Sequence, residues 1–333
     1  MSVITLNRPV AAAQVSAPFK VAPSTGGHNG EVSRQWANRP GDQRFLSLGD
    51  LKASVAARAA NSRQVVFESD KLVVRADRND ADRLEILTPD GDQLRPTHWS
   101  FGQLATLVGA PASYLRKLPA FLTAVNLQHG LMTHDRESVK TYHDETTGEL
   151  RAATGPDYGR IFDRDVVDAV MRIAGNGTGD TNWKIPGVLD WSTNFYNPFV
   201  EPTAQSTTLY ASDRDVFMFL VDDTRPFSIG KLPNGDDDLV FRGFYAWNSE
   251  VGKTSAGIAT FLLRAVCMNR NLWGVENFSE IKIRHSKNGP ARFAAEARPA
   301  LETYANASPA GFIFPKFEKQ RPLCRIVRAR PDS

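Results

Sequence analysis

The sequence predicts an α+β fold: a mixed N-terminal half with a helical hairpin, and a strand-rich C-terminal half whose largely antiparallel sheet packs on helices. Three observations predict it. Apolar, β-prone runs crowd the C-terminal half, among them "STTLYAS", "DVFMFLVDD" and "DLVFRGFYAWNS". Helix-compatible sequence with recognisable starts fills "HWSFGQLATLVGAPASYLRKLPAFLTAVNLQHGL" in the other half. Hydrophobic content of 41% and charged content of 23% over 333 residues are those of a globular protein with ample length for a core.

Residues 1–43 are rich in Pro, Gly, Ser and Asn and read as a disordered tail. Pro9 and Pro18 break its weak apolar stretch, which therefore does not read as a signal peptide. Residues 44–175 form the mixed part. "SLGDLKASVAARAA" is helical, and "RQVVFES", "KLVVRAD" and "RLEILTPDGDQLR" are short strands separated by Asp/Asn turns. Ser100, Pro111 and Pro119 each open a helix. "SVKTYHDETTGELRAAT" is a hairpin turning at Thr147-Gly148, and "DRDVVDAVMRIAG" a helix with Asp163 as cap and Gly175 as stop.

"NGTGD", residues 176–180, is the expected linker or long-loop boundary before the strand-rich basic part, 181–330, which is either separate or continuous with the preceding part. "GIATFLLRAVCMN" reads as a strand, although an apolar run of that length also suits a buried helix. "ARFAAEARPALETYANA" is helical with a kink at Pro299, and "PLCRIVRAR" is a closing strand. No internal repeat is visible.

"WNSEVGKTSAG" (247–257) ends like a phosphate-binding loop. Such a loop needs a glycine five residues before Gly252, so that backbone N–H groups can wrap a phosphate at a helix N-terminus. That position is Trp247, which fills the space the phosphate needs. No hydrolase triad offers itself either: GxSxG is absent, and His28, His98, His129, His134, His143 and His285 are scattered. Cys267 and Cys324 form neither a CxxC pair nor a zinc pattern. No residue is nominated as catalytic, and no metal or cofactor is expected. No apolar run approaches the ~20 residues that span a bilayer, so no membrane partner and a cytoplasmic location are expected.

Charge is unevenly distributed. From Lys253 to Arg330 there are 14 Lys/Arg against 5 Asp/Glu, a balance of +9, whereas the rest of the chain carries −6 within a total of +3. Glu201 to Val240 holds 3 basic and 8 acidic residues, including Asp236, Asp237 and Asp238. A field with a positive end attracts polyanions, though solvated faces also vary in charge without function.

Three constellations follow from the pattern. Ala105, Gly109 and Leu115, supported by Leu104 and Leu118, have helix-turn-helix spacing. "APASYLRKL" would then be a duplex-reading helix presenting Ser113, Arg116 and Lys117. A helical hairpin that merely packs on a sheet needs the same small residues. The second combines Phe244, Tyr245 and Trp247 with the cations Lys253, Arg264, Arg270, Lys282, Arg284 and Lys287. Single-strand binders join aromatic faces for bases to cationic grooves for phosphates, whereas strand aromatics also fill cores. The third, Glu280-Ile-Lys282, has the spacing of a metal-dependent nuclease strand and would need an upstream acid such as Asp238.

Three blocks together carry a resemblance: "ELRAATGPDYGRIFDRDVVDAVM", "LYASDRDVFMFLVDD" and "FRGFYAWNSEVGKTSAGIATFLLRAVCMNRNLWG". They resemble the phage- and plasmid-borne proteins of the domain of unknown function 932 family, over roughly Ser47 to Arg328. The family block is Asn-Ser, a polar-Gly turn, then a strand ending Arg-x-x-Cys-x-Asn. It falls here on Asn248, Ser249, Gly252, Arg264, Cys267 and Asn269. The resemblance implies that "VGKT" is a turn between two strands, and that the protein serves DNA processing, recombination or counter-defence in a mobile element. It transfers no catalytic residue. A basic hairpin followed by a helix is also similar in outline to single-strand annealing recombinases, a fold-level analogy.

The leading expectation is a non-enzymatic single-stranded DNA-binding or annealing protein, in which Lys253, Arg264, Arg270, Lys282, Arg284 and Lys287 contact phosphate and Tyr245 or Trp247 stacks on bases. Single-stranded DNA is the expected partner, with homo-oligomerisation a further expectation. A helix-turn-helix regulator, a metal-dependent nuclease and a protein that binds a host factor are the alternatives.

Overall fold

The computed structural model describes residues 14–22, 27–135 and 137–307. The chain opens with β1 (Phe19–Lys20), β2 (Gly27–Asn29), α1 (Glu31–Asn38), β3 (Arg44–Phe45) and α2 (Leu48–Ala60). Next come β4 (Ser62–Glu68), β5 (Val73–Ala76), β6 (Leu84–Leu87), β7 (Gln93–Pro96), α3 (His98–Leu107), α4 (Ala112–Leu115), α5 (Ala120–Thr133), β8 (Ser138–Asp144) and β9 (Glu149–Thr154). Helix α6 (Asp163–Ala174) leads to β10 (Val188–Asp190), β11 (Phe195–Asn197), β12 (Leu209–Ala211), β13 (Val216–Lys231), β14 (Asp237–Asn248), β15 (Ala256–Leu263), β16 (Ala265–Val266) and β17 (Leu272–Ile283). A final helical stretch comprises α7 (Gly289–Arg292), a π-turn at Phe293–Ala297 and α8 (Arg298–Asn306).

The α+β reading holds. An eight-stranded antiparallel sheet runs β16-β17-β15-β14-β13-β12-β3, with β2 joined to β17. A six-stranded sheet runs β4-β8-β9-β7-β6-β5, in which β7 and β9 are parallel and the other pairs antiparallel. Strands β1, β11 and β10 make a small third sheet.

Period-2 alternation decides what each face of the large sheet buries. Along β14, Phe244 and Ala246 enter a core shared with α2, α6 and α8. Phe241, Tyr245 and Trp247 point to the opposite face, where Val32 of α1 and Tyr196 of β11 pack on them. Helix α2 starts where Ser47 Oγ accepts from the Asp50 amide at 3.1 Å. Helix α6 buries Val166, Val167 and Val170 and stops at Gly175, whose φ of 56° no β-branched residue adopts cheaply. In β13 the register slips between Asp222 and Phe227, around Pro226, which has no N–H to give to a ladder.

Several expectations are revised. The segment read as tail contributes β1, β2 and α1, because Val32 is fully buried on the aromatic sheet face and gives an otherwise short, polar helix something to dock against. Residues 176–180 are not a free linker: Asn176 Oδ1 accepts from the Gly49 amide at 2.8 Å, and the Gly177 carbonyl accepts from the Ile185 amide at 3.0 Å. The six-stranded unit, residues 62–154, is instead inserted between α2 and α6, which pack together. Asp163 is the first residue of α6 and not its cap; its side chain is used elsewhere. The bend at Pro299 takes the form of the π-turn, since Pro299 cannot bond the carbonyl one turn back. "GIATFLL" is strand β15. "PLCRIVRAR" and Cys324 lie outside the described residues.

Candidate functional site

The Gly-Lys-Thr turn joins β14 to β15, with Gly252 at a φ of 88°. Antiparallel register places Phe217, Trp247, Gly257 and Lys282 in one row across four strands. Gly257 makes the row possible: a Cβ there would lie 2.2 Å from Trp247 Cζ2, so the indole lies flat over the neighbouring strand. Trp247 is half-buried and its ring centroid is 5.5 Å from that of Tyr245.

These rings floor a groove of about 290 Å³, walled by Glu31 and Gln35 of α1 and by Lys253, Glu280 and Lys282. The Asn29 side-chain amide donates to Tyr245 Oη at 3.4 Å. Burial pushes the Tyr245 phenol up to about 12, so it remains protonated. Lys253 Nζ donates to Asp215 Oδ2 at 2.9 Å, while Asp215 Oδ1 accepts from Arg39 Nη1 at 2.6 Å. Burial alone would raise the Asp215 pKa, but Arg39, Ser212 and Lys253 together hold it below the usual carboxylate range. Lys282 Nζ lies 2.8 Å from Glu280 Oε2. The Lys253 and Lys282 side chains are 44% and 59% exposed, so both can exchange these partners for another anion.

Four of the expected residues, Tyr245, Trp247, Lys253 and Lys282, thus meet in one groove. Arg284 and Lys287 are exposed on the segment leaving β17, outside the groove lining. Two others are corrected. Arg264 is buried between Asp238, at 2.8 Å, and Glu276, at 2.6 Å. Arg270 is buried beside Tyr196 and Tyr210, with a φ of 61°. Neither offers a surface charge to phosphate.

The alternative constellations lack the geometry their readings require. Ser113, Arg116 and Lys117 are exposed, but α4 is a single four-residue turn and cannot span a groove of duplex DNA. Arg116 donates to the His98 carbonyl at 2.9 Å and stacks over Phe101 at 5.0 Å, beside a cleft of about 650 Å³ that Arg83 and Arg95 also line. Glu280 is paired with Lys282, and among the described residues no three His, Cys, Asp or Glu side chains come together as a metal site.

Behind the groove lies a buried polar network that sequence reading missed. Glu250, in the turn, accepts from Arg151 Nη2 at 2.6 Å and from Tyr142 Oη at 3.3 Å. Its other oxygen accepts from the Asp163 amide at 3.1 Å. Asp163 Oδ1 accepts from Asn248 Nδ2 at 2.7 Å and from the Glu250 amide at 3.2 Å. Burial, then the neighbouring Glu250 charge, push the Asp163 carboxyl well above its ordinary value. Arg160 donates to the Glu250 carbonyl and, at 2.8 Å, to Gln64 Oε1. Trp99 and Gln103 of α3 donate to the Val251 carbonyl at 3.0 and 2.7 Å.

His285 completes the clasp. Its Nδ1 accepts from the Ile161 amide at 3.3 Å, which leaves Nε2–H to donate to the Thr254 carbonyl at 3.1 Å. Burial and the Arg160 charge bring its pKa down to about 4, so the ring is neutral. The network locks the turn that carries Lys253 and Trp247 onto the six-stranded sheet. The available signal was charged residues set among apolar ones in "YGRIFDRD" and "NSEVG", but pairing partners 99 residues apart cannot be read from spacing.

A family model described as a domain of unknown function (DUF932) matches residues 201–311. No curated protein matches the chain, and no solved structure does. The matched span contains β12 to β17, the Trp247 groove floor and the Asn248–Glu250 turn. Over residues 201–311, a third of the chain, the protein is similar to the DUF932 family.

Proposed function

We propose that this protein binds single-stranded nucleic acid, DNA in the first instance, across the aromatic face of its large sheet, with one base seated on Trp247. The observation that carries the reading is the groove itself: a half-buried indole held over Gly257, with Lys253 and Lys282 at its rim. A volume of about 290 Å³ suits a base or small heterocycle and is at the lower limit for larger ligands. Stacking on an aromatic face is sequence-tolerant and contributes about 1–3 kcal/mol per base. Lys253, Lys282, Arg284 and Lys287 supply phosphate contacts, which is a smaller set than the sequence suggested. A role in recombination or replication of a mobile element, within the cytoplasm, is the biological setting of this proposal.

Fluorescence anisotropy of labelled single- and double-stranded oligonucleotides at several salt concentrations tests it. Single-strand binding should weaken as salt rises. Trp247→Ala should weaken it about 5- to 150-fold, the equivalent of one stacked base. Lys282→Ala should flatten the salt slope. Absence of binding to either form at low salt would reject the proposal.

A further inference from the structure

Helix α5 has no charged residue from Ala120 to Thr133. Its inner face, with Ala124, Leu127 and Leu131, packs into the core of the inserted sheet. Gln128 covers the edge strand β5, accepting from the Val74 amide at 2.7 Å and donating to the Leu72 carbonyl at 3.1 Å, so that edge is not open to strand pairing there. The outer side carries an apolar row as well, flanked by exposed Asn126, His129 and Thr133. Phe121, Leu122, Val125 and Met132, with Tyr114 just before the helix, are between 40% and 65% exposed. Phe121, Val125 and Met132 fall within an arc of about 40° on the helix. Single exposed apolar residues are ordinary, but a row of them along an uncharged helix marks a surface that something covers.

We infer that a second copy of this chain covers it, with the two α5 helices packed antiparallel across a two-fold axis. Two observations select this occupant. The stripe holds no charge, so bringing two copies together opposes no like charges. Its ends differ: exposed Arg116 and Lys117 precede the helix, whereas exposed Asp135 and Glu137 follow it, on either side of Arg136. Antiparallel packing lays the basic end of each copy against the acidic end of the other. It also sets Phe121 of one copy near Met132 of the second, a favourable sulfur–aromatic contact, with Val125 close to the axis.

The five side chains offer roughly 500 Å² per copy, given ~150–250 Å² for a fully exposed large side chain. A standard interface needs about 800 Å² per partner, so the dimer is expected to be weak and concentration-dependent. This surface is independent of the Trp247 groove.

Sedimentation velocity of the full chain, from below about 1 µM to about 100 µM, tests the inference. The wild type should shift from monomer to dimer across that range. Val125→Glu and Val125→Lys should each remain monomeric, with unchanged circular dichroism because the position is exposed. An equimolar mixture of the two should regain the dimer, which a folding defect would not allow. A wild type that stays monomeric throughout, or a Val125→Glu protein that dimerises as the wild type does, would overturn the assignment. Failure of the mixture to re-form the dimer would overturn the two-fold geometry.

Discussion

Replacement of Glu250 by alanine should destabilise the protein by about 3–5 kcal/mol. The carboxylate accepts from Arg151 at 2.6 Å and from the Asp163 amide at 3.1 Å, and both donors lie in buried residues. Its loss strands a guanidinium charge and a backbone N–H where water does not reach, and that desolvation is the larger part of the cost. Glu250→Gln keeps the shape and an acceptor oxygen, and it removes the repulsion that helps raise the Asp163 pKa. It should therefore cost less, about 1–2 kcal/mol.

Arg151→Met alone leaves the carboxylate unpaired and should cost about as much as Glu250→Ala. The double variant Arg151→Met/Glu250→Met removes both charges and should be milder than the sum of its parts by about 1–3 kcal/mol. Urea unfolding followed by tryptophan fluorescence, with the slopes compared between variants, reads these differences. Single variants costing under about 1 kcal/mol, or strictly additive effects, would refute the reading of this pair as a buried, mutually dependent clasp.

Three further expectations concern the groove, the clasp and the N-terminal helix. Gly257→Ala places a Cβ 2.2 Å from the indole, so Trp247 must leave its seat; oligonucleotide affinity should fall about as far as for Trp247→Ala, with the sheet retained by circular dichroism. His285 has its pKa depressed to about 4 from 6.5, so its stabilising effect is complete above pH 6.5 and is lost as pH falls from there to about 4. At most about 3 kcal/mol is involved, and the stability difference between wild type and His285→Gln should trace that window. Asp163 has the opposite sign, because its raised pKa favours the folded state at low pH and costs stability as pH rises through it. Val32→Asp should release α1 from the sheet without unfolding the rest, seen as rapid tryptic cleavage after Arg34.

Elements specified by short-range periodicity and turn chemistry are legible without the fold. Strands β13, β14 and β15 are legible because side chains that alternate between two apolar faces leave unbroken apolar runs. The β8–β9 hairpin, the start of α2 and the stop of α6 are legible because Gly148, Ser47 and Gly175 act within a few residues of where they stand. The strand–turn–strand reading of "VGKT" comes from the family resemblance, and the pairing of β14 with β15 bears it out.

Which charges face water, and which distant segments meet, depends on the folded chain. Arg264, Arg270, Lys253 and Lys282 are equivalent as counts of positive charge. Burial then separates two structural cations from two at a groove rim. Helix α1 has too little intrinsic helix preference to be read locally, since its order comes from Val32 docking on a face built by strands that lie more than 150 residues away. Arg151 finds Glu250 across 99 residues. Solvation and long-range pairing depend on where the chain goes, and residue spacing carries no record of it.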